Sequence, residues 1–312
     1  MADLDVSLVT SPPLAIADLG NEAQTPYGIW FKPDGTRLFL LDFSDSGLKQ
    51  YNLSTPWDPT TAVYELSRSF SYGFCRGLYM TPDGLNAFTV SDNSNIPVRL
   101  ALNTAWDLAD GVTRTQNTSY TVSNREGLAL SGDGTKFFTE QSGNLLEYAL
   151  STPFDLATFD NVIVNNRSID DGSSPILGSP EGIQFSSDGL QLFTSSAGAD
   201  TSRGVAQFSL DAPWDITTLR FVAYQPLDFP VAPNGTPYAL FVAPDAGKLF
   251  LVYSNIDMWV FELPVAPAVS TLDAPTFEYI PARMIAQFAW SFSDINEGDT
   301  QSEVALVRRR TS

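Results

Sequence analysis

The chain has 312 residues, of which 36 are Asp or Glu and 17 are Lys or Arg, so its net charge is −19. This acidic balance argues against nucleic acid or an anionic membrane as a partner, because both attract positive surfaces. Histidine is absent, which removes the usual general base and the commonest metal ligand. We therefore expect no metal, no cofactor and no Ser–His or Cys–His nucleophile.

The single cysteine, Cys75, excludes an internal disulfide, and its setting GFCRG favours a small buried thiol over a reactive one. The first residues, MADLDVSLVT, lack a basic region followed by an apolar run, so we expect no signal peptide. Since no apolar stretch approaches the ~20 residues that span a bilayer, membrane insertion is not expected.

One string of residues recurs along the chain. Its first copy, from Gly28 to Asp58, reads as an apolar strand, a PDG turn, a second strand, a polar loop, a third strand and a TPWD corner. The turn aspartates of successive copies are separated by 49, 50, 55 and 57 residues. Such a period predicts an all-β, five-bladed β-propeller, because each small sheet needs a neighbour on both faces. The five copies begin at Gly28, Gly77, Gly127, Gly182 and Ala239.

The fifth copy stops at Pro264, before the fourth strand that follows the corner in the complete copies. The simplest closure places an N-terminal strand, somewhere between Val6 and Leu19, beside the strand around Met258–Leu263. This pairing would complete the last blade and leave no open edge. We therefore predict that residues 1–264 form the propeller.

The corner of each complete copy carries an aromatic residue followed by Asp. Because the pair repeats, we predict that the aromatic side chain packs between blades and that the Asp caps the local turn. A sugar-binding tryptophan is the functional alternative. The aromatic residues are Trp57, Trp106, Phe154 and Trp214.

At one mouth of the predicted channel, the blades contribute different residues. The residues just before the inner-strand glycine ring this mouth, whereas the PDG turns and TPWD corners lie at the other. Arg and Glu beside Tyr suit a sugar or another polar ligand, and the alternative is a salt-linked rim around a water-filled pore. The ring consists of Tyr27, Arg76, Arg125, Glu126, Glu181 and Tyr238.

No catalytic motif accompanies the repeat, so we assign no catalytic residues. Five-bladed glycosidases work with carboxylate pairs, and Glu126 with Glu181 would be the candidate pair here. A calcium-assisted lactonase built on Glu181 and Asn or Asp side chains is a related possibility. An enzyme of either kind is the alternative to a binding protein.

The composition changes after Pro264. Residues 265–276 read as a Pro/Ala-rich linker, and residues 277–312 contain two strand-like runs. The string W-x-F-S-D with G-D-T-Q-S resembles the beginning of a fibronectin type III-like module, which needs ~100 residues to close a core. We predict that this segment docks on a neighbouring chain by strand addition, the alternative being a frayed end. The predicted docking residues are Phe288, Trp290, Phe292, Arg308, Arg309 and Arg310.

The repeats resemble YVTN/WD-repeat-like propellers, whose blades carry F-x-P-D-G-x-x-L-F and Q-Y-x-L-S-T-P-W-D-x-x-T-A. Here FKPDGTRLF spans residues 31–39 and QYNLSTPWDPTTA spans 50–62. The resemblance covers about residues 20–264 and extends to repeats of tailed-phage virion and bacterial surface proteins. It implies a non-enzymatic tail, baseplate or capsid-surface protein, assembled in the host cytoplasm. Other virion proteins, further copies of itself and host glycan would be its partners, and a soluble bacterial interaction propeller is the remaining alternative.

Overall fold

The computed structural model describes residues 4–9, 13–19, 22–69, 74–116, 122, 127–169, 180–197, 203–226, 237–243, 247–253 and 257–264. All of them belong to one compact unit, Met1–Ala266. The predicted linker 265–276 and docking segment 277–312 lie outside the described residues, as do Arg125 and Glu126.

The described residues form twenty strands in five four-stranded antiparallel sheets, which confirms the predicted all-β, five-bladed propeller. Four sheets are built from consecutive strands, with the first strand innermost. The first two sheets are β2 (Pro26–Phe31), β3 (Arg37–Asp42), β4 (Gly47–Leu53) and β5 (Ala62–Ser69), then β6 (Cys75–Met80), β7 (Asn86–Ser91), β8 (Ile96–Thr104) and β9 (Asp107–Gln116). The next two are β10 (Leu128–Leu130), β11 (Lys136–Gln141), β12 (Asn144–Leu150) and β13 (Phe159–Ser168), then β14 (Pro180–Phe185), β15 (Gln191–Ala197), β16 (Arg203–Ser209) and β17 (Arg220–Pro226).

The fifth sheet joins the two ends of the propeller. It contains β18 (Pro237–Ala243), β19 (Lys248–Tyr253) and β20 (Asp257–Glu262), and its outer strand is β1 (Ala15–Asp18). Strand β1 runs antiparallel to β20, with Ala17 opposite Met258. The predicted closure by an N-terminal strand between Val6 and Leu19 is confirmed.

Short 3-10 turns complete the described secondary structure. One turn precedes β1, and its first residue, Val6, is buried between the fourth and fifth blades. The Val6 amide donates to the Gln207 side chain at 2.9 Å, which fixes this segment to β16. The turns span Val6–Leu8, Pro59–Thr61, Leu156–Thr158 and Ile216–Thr218. No helix in this part of the chain has the length and apolar character that crossing a membrane requires.

The inner strands form a closed ring, in which β2 contacts β6 and β18, and β10 and β14 complete the circle. The glycine at the start of each of the first four repeats explains how closely neighbouring inner strands approach each other. A Cβ atom on Gly28 would lie 2.6 Å from the Cβ of Leu78, and one on Gly77 would lie 2.7 Å from that of Leu128. A side chain at these positions would therefore force neighbouring blades apart.

The ring closure predicts that substitutions at two neighbouring residues of β1 change the free energy of unfolding by different amounts. Ala17 is buried in the core between the first and fifth blades, whereas the Ile16 side chain is 46% exposed. Ala17→Arg should therefore lower the free energy of unfolding by about 3 kcal/mol or more, because it buries a charge in an apolar cluster.

The matched control, Ile16→Arg, should change the free energy of unfolding by no more than about 0.5 kcal/mol. Urea unfolding followed by tryptophan fluorescence measures both variants. Equal losses would show that β1 does not pack as a strand with one buried face.

Candidate functional site

The channel mouth predicted to carry a ligand holds a stack of aromatic rings with one guanidinium inside it. Tyr27 and Tyr238 stack with ring centroids 4.1 Å apart and planes 17° from parallel. The Arg76 Cζ lies 4.3 Å from the ring centroid of Tyr27 and 5.0 Å from that of Phe43. Phe43 in turn stacks on Phe74 at 4.4 Å. We call Tyr238, Tyr27, Arg76, Phe43 and Phe74 the aromatic–arginine array.

The array joins three blades. Tyr27 lies on the inner strand β2, and Phe43 directly follows β3 of the same blade. Arg76 lies on β6 of the second blade and Tyr238 on β18 of the fifth. Antiparallel topology places the beginning of each inner strand beside the end of the following strand, and so these residues meet at one end of the channel.

Burial and hydrogen bonding keep the array in one charge state. Burial raises the pKa of the Tyr27 hydroxyl well above its usual range, and its hydrogen bond with Tyr238 raises it further. The negative charge of Glu181 also raises this pKa, whereas the positive charge of Arg76 lowers it. Arg76 Nε lies 3.5 Å from a carboxylate oxygen of Asp92. Tyr27 therefore stays a neutral hydroxyl beside a fixed cation.

The structure thus brings together Tyr27, Arg76 and Tyr238, and it places Glu181 within electrostatic range of Tyr27. Glu181 is buried, with 7% of its surface exposed. Sequence reasoning missed Phe43 and Phe74, because it considered only the residues before the inner-strand glycines. The available signal was their position, since both lie in connections at this same end of the blades.

The array reaches the protein surface at Phe74, which is 41% exposed, and Tyr27 is buried beneath it with 8% exposed. Arg76 is half-buried and held by ring faces on two sides. A ligand at this mouth would meet aromatic faces for stacking and charged or hydroxyl groups for hydrogen bonds. Among the described residues, no group of three or more metal-ligating side chains is placed to hold a metal ion.

The opposite mouth, which carries the PDG turns and the corners, contains an apolar cavity of about 250 Å³. Its walls come from all five blades, and each blade contributes the inner-strand residue two positions after the first residue of the repeat. Trp30 packs edge-on against Tyr79 and Phe241. The third blade contributes the smaller Ala129, and the fourth contributes Gln184, which hydrogen-bonds to the Val242 backbone. The five inner-strand residues are Trp30, Tyr79, Ala129, Gln184 and Phe241.

The corner aromatics close the blades at this mouth. Trp57 adopts the left-handed conformation, with φ of 62°, and its N–H donates to the Gly35 carbonyl at 3.0 Å. Its ring covers Gly35 and packs against Phe250 of the preceding blade. Lys248 of that blade donates to the Trp57 carbonyl at 3.0 Å.

The Asp after the corner aromatic accepts a hydrogen bond from an amide two residues later, as at Asp58 with the Thr60 N–H at 3.1 Å. The same bond occurs at Asp107, Asp155 and Asp215. Both corner predictions, interblade packing by the aromatic and capping by the Asp, are confirmed.

Comparison with known proteins finds only distant similarity to solved structures. No family model matches the chain, and no curated protein matches it either. A solved structure of a proposed 6-phosphogluconolactonase from Bacteroides uniformis is 17% identical over 73% of this chain and 63% of its own, with a TM-score of 0.43. Hydrazine synthase from Kuenenia stuttgartiensis is 16% identical over 80% and 60%, with a TM-score of 0.43.

A protein of unknown function from Desulfotomaculum acetoxidans is 14% identical over 73% of this chain and 65% of its own, with a TM-score of 0.45. The chain spans less than two thirds of the length of these three proteins. Similarities this distant carry no argument about activity or ligand.

The corner geometry predicts how much unfolding free energy is lost when the turn glycine is replaced by alanine. Gly35 has φ of +72°, and a Cβ there would lie 2.5 Å from the Trp57 ring. Gly247 has φ of +58°, but a Cβ there would meet only the Leu263 carbonyl at 3.6 Å. We expect Gly247→Ala to cost about 1 kcal/mol of unfolding free energy from backbone strain alone.

Gly35→Ala should cost about 2–4 kcal/mol, because displacement of the Trp57 ring adds to the strain. Urea unfolding of both variants measures the difference. Equal costs would mean that the corner ring does not rest on the turn.

Proposed function

We propose that this protein is a non-enzymatic recognition protein whose propeller binds an uncharged surface glycan at the aromatic–arginine array. The observation that carries the proposal is the stack of Tyr238, Tyr27, Arg76, Phe43 and Phe74 at one mouth of the channel. Aromatic faces contact the apolar faces of sugar rings, and a guanidinium held between rings presents donors in a fixed plane.

The charges around the array favour an uncharged sugar over an acidic one. Asp92 lies 3.5 Å from Arg76, and Glu181 acts on Tyr27. The whole chain carries a net charge of −19. A sialic or uronic acid would therefore approach a negative surface whose nearest cation is already paired, whereas hydroxyl groups can accept from Arg76 and donate to the carboxylates.

The wider role that we propose is attachment or assembly on a phage virion, as a tail, baseplate or capsid-surface component. Its support is the resemblance of the repeats FKPDGTRLF and QYNLSTPWDPTTA to virion propellers. In this proposal residues 277–312 join the protein to a neighbouring chain, and the aromatic–arginine array faces the host surface.

The proposed glycan binding predicts that a substitution at the exposed end of the array lowers the affinity for the glycan. Phe74→Ala should weaken binding of the best oligosaccharide at least fivefold, because it removes the most exposed stacking face, an interaction of about 1 kcal/mol. A glycan array identifies the oligosaccharide with the labelled full chain, and titration calorimetry then measures its affinity.

Phe221→Ala is the matched control, since Phe221 is 38% exposed on the outer strand β17, away from the channel. Equal affinities of the two variants would contradict the proposed site. If the protein instead hydrolyses the oligosaccharide, and Glu181→Gln abolishes this activity, the hydrolase alternative is established.

The assembly role predicts a change in mass on truncation. A chain that ends at Pro264 keeps all twenty described strands, because β20 ends at Glu262. We expect the full chain to be an oligomer and the shortened chain a monomer by light scattering after size exclusion. Equal association states of the two chains would contradict docking through the C-terminal segment.

A further inference from the structure

The apolar cavity at the corner mouth has a chemistry that differs from that of the aromatic–arginine array. It lies on the channel axis, has a volume of about 250 Å³ and is lined by residues of all five blades. An apolar cavity of about 150 Å³ is already large enough to hold benzene. The corner-mouth cavity can therefore hold a compact organic molecule.

Aromatic rings form much of the cavity wall. Trp30 makes edge-on contacts with Tyr79 at 5.1 Å and with Phe241 at 5.3 Å between ring centroids. Trp57 lies with its plane 20° from that of Phe241. Rings on several sides of one space are the arrangement that holds a cation through the negative faces of the π systems.

Two polar side chains in the wall, Gln184 and Ser186, are already engaged. The Gln184 side chain donates to the Val242 carbonyl at 3.0 Å and accepts from the Val242 N–H at 2.7 Å. The Ser186 hydroxyl donates to Asp188 at 2.6 Å. A guest that depends on many hydrogen bonds therefore finds few groups to pair with, and an alkylated group fits the wall better.

The rim of the cavity is negative. Seven residues of the wall are each followed directly in the chain by an aspartate. Four of the described cations contact these aspartates or the corner carbonyls. Lys32 pairs with Asp34 at 2.7 Å, and Arg37 pairs with Asp107 at 3.2 Å. The other two cations, Lys136 and Lys248, donate to corner carbonyls. The seven aspartates are Asp34, Asp58, Asp83, Asp107, Asp133, Asp188 and Asp215.

The charges of two of these carboxylates, Asp83 and Asp133, act on the Tyr79 hydroxyl in the cavity wall. Burial raises the pKa of the Tyr79 hydroxyl, and the charges of Asp83 and Asp133 raise it further. Asp133 itself stays ionised: partial burial works to raise its pKa, but hydrogen bonds from Ser131 and Thr135 outweigh this effect and lower it. The potential at the wall is therefore negative, which favours a positively charged guest.

From these observations we infer that the corner-mouth cavity is a binding site for a small organic cation of the quaternary ammonium class. The methyl groups fill the apolar space, the rings of Trp30, Tyr79 and Phe241 line it around the positive charge, and the aspartate rim attracts that charge. This site is separate from the aromatic–arginine array and does not rest on the proposed glycan binding.

The test compares two molecules of nearly equal shape and different charge. Choline and its uncharged isostere 3,3-dimethylbutan-1-ol are titrated into the full chain by calorimetry. Choline should bind at least tenfold more tightly than the alcohol. Failure of choline to bind, or equal binding of the two, would overturn the inference, and this comparison needs no variant.

Two substitutions then locate the site. Trp30→Leu should weaken choline binding at least fivefold by removing a cation–π partner, and Ala129→Leu should do so by occupying the cavity. Near-UV circular dichroism confirms that each variant keeps its fold. Phe74→Ala, at the opposite mouth, should leave choline binding unchanged. Choline affinity that neither cavity substitution lowers, or that Phe74→Ala lowers, would overturn the assignment.

Discussion

Every blade of this protein depends on having its two apolar faces covered at once. In β3 the residues Leu38 to Leu41 are all buried, although successive side chains point to opposite faces of the sheet. A single sheet of this kind exposes both apolar faces to water, and an open stack of sheets still exposes one face at each end. Only a closed ring covers all of them, and the pairing of β1 with β20 closes it.

Closure also determines the chemistry of the channel. The glycines of the inner strands let neighbouring blades approach so closely that a Cβ atom on Gly28 would overlap the Leu78 side chain. At this distance, side chains of neighbouring blades contact each other within the channel, as Trp30 does with Tyr79 and Phe241. The apolar cavity is lined by the large Trp30 of one blade and the small Ala129 of another, and Tyr27 stacks on Tyr238 at the other mouth.

Much of the fold could be predicted from the sequence, because the repeat is a local pattern. The spacing of the turns predicts five blades, and the missing fourth strand after Glu262 predicts closure from the other end of the chain. The corner function of Trp57 is also local, since the residue rests on the turn glycine of its own blade. Tyr27, Arg76 and Tyr238 were predictable because each holds the same register in its copy.

The aromatic–arginine array and the apolar cavity were harder to predict, because both depend on contacts between blades. Phe43 and Phe74 belong to different connections, and no repeated register links them. The cavity arises from the relative sizes of five side chains that are about fifty residues apart, which no single copy shows. From the sequence, the corner aromatics at the corner mouth were predicted mainly as packing residues, and the cavity between them follows only from the relative side-chain volumes.

Hydrogen–deuterium exchange of the full chain tests the closed ring most directly. We expect the peptide covering Asp257–Glu262 to exchange as slowly as the inner strand β18, because β20 pairs with a strand on each side in the completed fifth blade. In the peptide covering Ala15–Asp18, the amides that hydrogen-bond to β20 should be protected as well. Exchange of both peptides within seconds, while β18 stays protected, would mean that the ring is open between its first and last strands. Both channel mouths would then lose the geometry on which the proposed sites depend.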